Sequence, residues 1–247
     1  MIRLISYVTT FFLVFITLQA DAQSRGGGSR GRGVSLSGQH SISFGLGLIT
    51  SEQNNLDSVI DSANTGGGNV KNLESGLEFF TQYGIRFDRS WYAFVFRPSF
   101  MSQETDGTCN TGQSCDYSVS GFSFFPMLKM IPLENDFISL FFQMGLGYGS
   151  MNGEIKQGTG SMKFKGSAFG AMAGLGVDFC FSESHCVTVE GNLRYLPIER
   201  NLVTSTSGTF TSGLTGAAVG NEVEFNNSDL ATTMSGLQGL VSYTMLF

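Results

Sequence analysis

Beyond residue 22 the chain has no apolar run long enough for a spanning helix, yet apolar residues recur at every second position in eight separate stretches. A period of two is what an extended strand imposes, because successive side chains point to opposite faces. In Phe137–Ser150, the residues Ile138, Leu140, Phe142, Met144, Leu146 and Tyr148 share one face, opposite Ser139, Phe141, Gln143, Gly145, Gly147 and Gly149. Leu77, Phe79, Thr81, Tyr83, Ile85 and Phe87 oppose Glu78, Phe80, Gln82, Gly84 and Arg86, and Tyr92, Phe94, Phe96, Pro98 and Phe100 oppose Ala93, Val95, Arg97 and Ser99. The same alternation runs through 41–48, 121–130, 169–179, 187–195 and 237–247, and every charge avoids the apolar face.

Which face is wet decides the fold class. A soluble barrel turns its apolar set inward and covers the other with charge. Here only 14% of residues are charged, and the second set is mostly Gly, Ser, Gln and Phe. Such residues suit a narrow lumen packed with side chains, while the aromatic-rich apolar set suits lipid and its interfacial girdles. In hydrocarbon only helices and closed barrels satisfy the backbone, and a barrel strand needs about 9–11 residues. The pattern therefore predicts an all-β transmembrane antiparallel up-and-down β-barrel of eight strands over 38–247. The segments between strands, 51–73, 88–90, 103–116, 132–136, 151–161, 182–186 and 201–230, alternate long and short. Short turns belong to the periplasmic end of an outer-membrane barrel and long loops to the outside. Both termini are then periplasmic, and the four Gly-, Asn-, Ser- and Thr-rich outer loops are expected to be mobile.

The N-terminus reads as an export signal. Arg3 precedes the uncharged apolar stretch from Leu4 to Leu18, and Ala20-Asp21-Ala22 has a signal-peptidase pattern, predicting cleavage before Gln23. Residues 23–37 are expected to form a flexible Gly/Arg-rich periplasmic linker, on the plain reading a disordered tail, with contact of Arg25, Arg30 and Arg32 to anionic lipid or a partner as the alternative. The segment is similar to Arg-Gly-Gly tracts of RNA-binding proteins, but export and a formal net charge of −6 argue against a nucleic-acid partner.

Seven charges fall on the inward face: Glu78, Arg86, Arg97, Lys129, Asp178, Glu190 and Arg194. An eight-stranded barrel is just wide enough to be filled by side chains, so these should pair as a structural plug. The sharper alternative is a narrow ion path gated by Glu190 or Glu78 with Arg97 or Lys129. Four cysteines in an exported chain, spaced Cys109-x5-Cys115 and Cys180-x5-Cys186, predict two local disulfides. Neither spacing matches a zinc site, although His185 lies beside the second pair. His40 and His185 both fall at the periplasmic end, so no His-dependent catalytic site forms outside. Gly145-Leu146-Gly147-Tyr148-Gly149 lies on a strand and leads into no helix, so it is no nucleotide motif; neither enzyme activity nor a cofactor is expected.

This layout resembles the small eight-stranded outer-membrane β-barrels typified by the OmpA transmembrane domain and OmpX. The end of the chain, Val241-Ser242-Tyr243-Thr244-Met245-Leu246-Phe247, is similar to the terminal-Phe signal of that group. The resemblance implies that Val241, Tyr243, Met245 and Phe247 are read by the barrel-assembly machinery through strand addition. It carries no peptidoglycan tether, because no domain of that kind follows the barrel. The expected role is structural or surface-interaction, with outer-membrane lipid as partner and an extracellular ligand, if any, at 51–73 and 201–230. The alternatives are a porin-like channel for ions or small solutes, and a hydrophobic-ligand carrier opening sideways through the Gly-rich fifth and sixth strands.

Overall fold

A computed structural model describes residues 39–247 apart from 88–89, 111, 136, 211–213 and 215–217. The export signal at 1–22 and the linker at 23–37 lie outside the described residues. In chain order the elements are β1 (Gln39–Thr50), α1 (Asn54–Asn64), β2 (Ser75–Arg86), β3 (Tyr92–Thr108), β4 (Ser114–Glu134), β5 (Ile138–Gln157), β6 (Gly160–Ser182) and β7 (His185–Tyr195). Then come β8 (Pro197–Ile198), β9 (Asn201–Ser207), β10 (Glu224–Phe225), β11 (Ser228–Asp229), β12 (Thr232–Thr233) and β13 (Gly236–Leu246).

Strands β1 to β7 and β13 close into one antiparallel barrel: neighbouring strands pair in sequence, β5 meets β6, and β13 lies between β7 and β1. Closure leaves no sheet edge in the wall, which is what a strand-built object needs in hydrocarbon. The seam is sealed to the last residue, since His40 and Phe247 exchange two backbone hydrogen bonds of 2.9 Å. Both visible ends of the chain thus lie at one rim, together with the three tight turns. At the β4–β5 turn the Asn135 carboxamide oxygen accepts the N–H groups of Phe137 and Ile138 at 2.9 and 2.8 Å, the local bonding that makes Asn a turn former. Next to Pro98 and Pro126 the ladder is interrupted, passing from Phe80↔Ser99 to Tyr83↔Phe96 beside Pro98 and from Phe124↔Tyr148 to Met127↔Gly145 beside Pro126. Proline has no N–H to give.

The apolar set faces outward as the alternation requires: Leu146 and Phe169 are 74% and 82% exposed. Inward, glycines make room for rings. A side chain at Gly176 would meet Phe141 at 2.4 Å, and one at Gly147 would meet Phe125 at the same distance.

At the other rim the structure departs from the expected loops. Segments 103–116 and 151–161 are not loops, because β3, β4, β5 and β6 run on through them as two long hairpins. β9 pairs with the outer part of β6. The 51–73 segment holds α1, whose Leu56, Val59, Ile60 and Ala63 are buried at helical spacing. The helix gives way to Gly66 and Gly67 at φ 102° and 132°, a backbone that side chains disfavour. The expectation of open loops is corrected accordingly: the described parts of 51–73 and 201–230 pack into a folded cap. Its core joins α1 to Tyr117, Val119, Met151, Ile155, Met162, Phe164, Val203 and Leu230.

Candidate functional site

Two regions of the described residues hold the buried polar and packed features: the lumen at wall height and the cap above it. In the lumen, Glu78 on β2 and Arg194 on β7 face each other across the bore, Nη1 to Oε1 at 3.0 Å with both side chains 1% exposed. The Arg194 Nε donates to the Met234 carbonyl at 2.6 Å, and Gln238 donates to the second Glu78 oxygen at 2.7 Å. One step along, Arg97 on β3 meets Glu190 on β7 at 2.7 Å, donates also to Gln82, and stacks 4.5 Å over the Phe80 ring. Gln143 donates to Glu190 at 2.9 Å.

Nearer the turn rim, Lys129 pairs with Asp178 at 3.0 Å and lies 3.7 Å over the Phe141 ring, while Thr188 donates to Asp178 at 2.6 Å. At the rim itself Arg86 grips Glu134 with two bonds of 2.6 Å, the bidentate fork that makes Arg–carboxylate pairs specific. All seven inward charges therefore sit in the bore or its mouth, and with Glu134 as the eighth they form four pairs. Of the candidate gates, Arg97 meets Glu190, whereas Glu78 takes Arg194 and Lys129 takes Asp178. Glu134 is the residue that sequence reasoning missed. A bulge between Met130 and Leu133 shifts the parity of β4, so the alternation that placed Lys129 inward fails to predict Glu134. With it the set is neutral: Arg86, Arg97, Lys129 and Arg194 against Glu78, Glu134, Asp178 and Glu190. Neutrality is the arrangement a low-dielectric bore favours.

Below the Arg97–Glu190 tier a cavity of about 760 Å³ opens at the turn rim, lined by Gln39, Ser43, Gln82, Arg86, Lys129 and Asp178 among others. Above the Glu78–Arg194 tier the bore gives way to the apolar core of the cap.

The outward face changes character at the same height. On β5, Met144, Leu146 and Tyr148 point out, and then Asn152, Glu154 and Lys156; inward, glycines give way to Met151 and Ile155. On β6 the outward series runs Leu175, Ala173, Ala171, Phe169, and then Ser167, Lys165, Lys163. On β3 and β4 it passes from Phe100 to Ser102 and from Phe122 to Ser120. The same strands are thus apolar outside for one half and apolar inside for the other. Only two different solvents around one barrel explain such an inversion. The parity of Tyr117, Val119, Met151, Ile155, Met162 and Phe164 was the available signal, set out of phase with the wall below.

Two disulfides stand where the spacing placed them. Cys109–Cys115 joins the ends of the β3–β4 hairpin, and Cys180–Cys186 bridges β6 and β7 with Cα atoms 4.0 Å apart. Among the described residues no cluster of three or more His, Cys, Asp or Glu side chains is arranged to hold a metal ion. His40 and His185 lie on the outward surface at the turn rim, each bonded through Nδ1 to a tyrosine hydroxyl, of Tyr83 and Tyr243, at 2.7 Å. His40 stacks on Tyr83 and Phe247, and His185 on Tyr243 and Phe181, forming an aromatic belt. Val241 and Tyr243, on β13, and Phe247, just beyond it, are exposed.

No family model and no curated protein matches the sequence. The fold matches solved structures. The outer membrane protein OprG from Pseudomonas aeruginosa aligns over 85% of this chain and 96% of its own, at 10% identity and a TM-score of 0.55. Ail, the attachment invasion locus protein of Yersinia pestis, solved in complex with the heparin analogue sucrose octasulfate, aligns over 85% of this chain and 99% of its own, at 13% identity and a TM-score of 0.42. A closed barrel of eight antiparallel strands, greasy outside and plugged by paired charges, with its fold shared with OprG, gives this chain the architecture of a small outer-membrane β-barrel.

Proposed function

We propose that the mature chain is an integral outer-membrane barrel of structural or surface-interaction type, with the turn rim and both termini in the periplasm and the cap outside. The observation that carries this reading is the inversion of polarity along β3–β6, apolar outside below Phe100, Phe122, Tyr148 and Phe169 and apolar inside above them. The role follows from what fills the bore. Two ion pairs buried to 5% exposure or less, overlain by an apolar cap, support an anchor for a folded surface rather than a path for solutes. The cap surface built from 51–73 and 201–230 is where an extracellular ligand would be met. Val241, Tyr243, Met245 and Phe247, on the strand that closes the barrel, are the residues offered to the assembly machinery. No catalytic role is part of this reading.

Planar-bilayer recording tests it. The anchor reading expects no discrete conductance. Steps that change size on Glu190→Gln or Arg97→Ala would overturn it in favour of a channel.

The ladder interruptions beside Pro98 and Pro126 favour one second reading, a hydrophobic-ligand carrier that opens through the wall. Its weakness is the lumen at that height, where Gln82, Arg97 and Ser99 present polar groups. Delipidated protein that co-purifies with no lipid or hydrocarbon would count against the carrier.

A further inference from the structure

The outward face just past the apolar band is not evenly charged. The row Ser102↔Ser120↔Asn152↔Lys165↔Leu202 crosses β3, β4, β5, β6 and β9, and Lys165 is its one charged member. Lys165 is exposed, and among the described residues it makes no ion pair. It stands four residues beyond Phe169, about 13 Å along the strand. Two more cations share its flank. Lys163 lies one outward position higher, 3.6 Å from Glu154, and Arg200, beside the Gly166↔Asn201 pair, has a side chain 75% exposed and bonded to Glu222. Glu199 is the exposed acid next to Arg200. The opposite flank at the cap rim carries Glu52, Glu74 and Glu104, all exposed and with no cation bonded to them among the described residues.

We infer that the β6–β9 flank is a binding site for a phosphorylated lipid of the outer leaflet, with Lys165, Lys163 and Arg200 meeting its phosphates and its acyl chains lying along Phe169, Leu175, Leu193 and Tyr195. The inference rests on the membrane reading above, which sets Lys165 at headgroup height. Long cationic side chains at such a height extend their heads into the interface while their stems cover apolar surface. Glu154 already meets both Lys156 and Lys163, and Glu222 meets Arg200, so Lys165 is left to recruit a counter-charge from outside the protein. The acidic opposite flank repels phosphate and makes the site one-sided.

The test uses the full mature chain reconstituted in phosphatidylcholine nanodiscs doped with bis-phosphorylated lipid A, with retained lipid counted by native mass spectrometry. Wild type is expected to retain lipid A in preference to the same lipid stripped of phosphate. Each cation removed should weaken retention about fivefold, the effect of one Lys or Arg near an anionic surface. The Lys163→Ala/Lys165→Ala/Arg200→Ala triple variant should therefore lose the preference, Glu199→Gln should sharpen it, and Lys71→Ala, which removes an exposed cation of the 51–73 segment close to Glu74 on the acidic flank, should leave it unchanged. Equal retention by wild type and the triple variant, or equal binding of the stripped lipid, would overturn the inference. Displacement of lipid A by a molar excess of inorganic phosphate would also overturn it, showing a site for the free anion. Failure of the chain to enter nanodiscs at all, read from its heat-modifiable gel mobility, would instead remove the membrane reading itself.

Discussion

Arg194 and Glu78, 3.0 Å apart and each 1% exposed, tie β7 to β2 across the bore just beneath the cap. Neither charge reaches solvent, so each depends on the other and on Met234, Met101 and Gln238 for its bonding.

Removing one partner leaves a buried charge uncompensated. Glu78→Ala is expected to lower the unfolding free energy of the reconstituted barrel by about 3–5 kcal/mol, measured by urea titration in vesicles. Replacing both residues with methionine should recover most of that loss, because two apolar side chains need no counter-charge. A loss of less than ~1 kcal/mol for Glu78→Ala would show the pair to be hydrated and the plug to be open.

In the cap, the Leu73 N–H donates to Asp57 Oδ1 at 2.9 Å. Burial holds the Asp57 carboxyl above the usual carboxylate range against the lowering effect of that bond, and Asp61, Glu74 and Glu52 push in the same direction as burial. A carboxyl raised by folding contributes stability that is complete below its unfolded value, and that stability fades as pH climbs through the folded value. Amide exchange of Leu73 and of α1, corrected for intrinsic rates, should therefore quicken from pH 4 towards neutrality. Asp57→Asn keeps an acceptor oxygen and should flatten the dependence; an unchanged profile in that variant would assign the effect to another group.

The height of the polarity inversion can be mapped with single arginines. Leu146→Arg, facing outward within the apolar band, should destabilise the barrel in vesicles by ~2–4 kcal/mol. Asn152→Arg, six residues further and also outward, should change it by no more than ~0.5 kcal/mol. Equal costs at the two positions would mean that the same solvent surrounds both.

Cys109 and Cys115 close a short loop at the tip of the β3–β4 hairpin. The Cys109→Ser/Cys115→Ser variant should cost ~2–3 kcal/mol at most in the chain-entropy picture, confined to the cap. Limited proteolysis is expected to cut near 108–114 while the wall keeps its heat-modifiable mobility. Loss of the whole barrel would show that the hairpin tip supports more than the cap.

Much of the wall was legible in the residues. A period of two repeated eight times, with charges confined to one phase, is local information, because each strand displays its two faces regardless of what it pairs with. The cysteine spacing and the inward position of Glu78, Arg97 and Glu190 were readable for the same reason. The cap was less so. α1 carries Leu56, Val59, Ile60 and Ala63 at helical spacing in a segment whose Gly and Asn content suggested a loop. Above Tyr148 the alternation of β5 continues in the same phase while its polarity reverses, which looks like the end of a strand if polarity alone is followed.

What the sequence by itself determined was the eightfold alternation and seven of the eight charges sent inward. Tertiary structure alone decided that Arg194 takes Glu78 and Arg97 takes Glu190. It also decided that a bulge at 131–132 brings Glu134 to Arg86, and that 51–73 and 201–230 fold over the mouth. Pairing depends on the stagger between strands, a property of the closed sheet and of no single strand, and the cap exists because residues far apart in the chain bury one common apolar core.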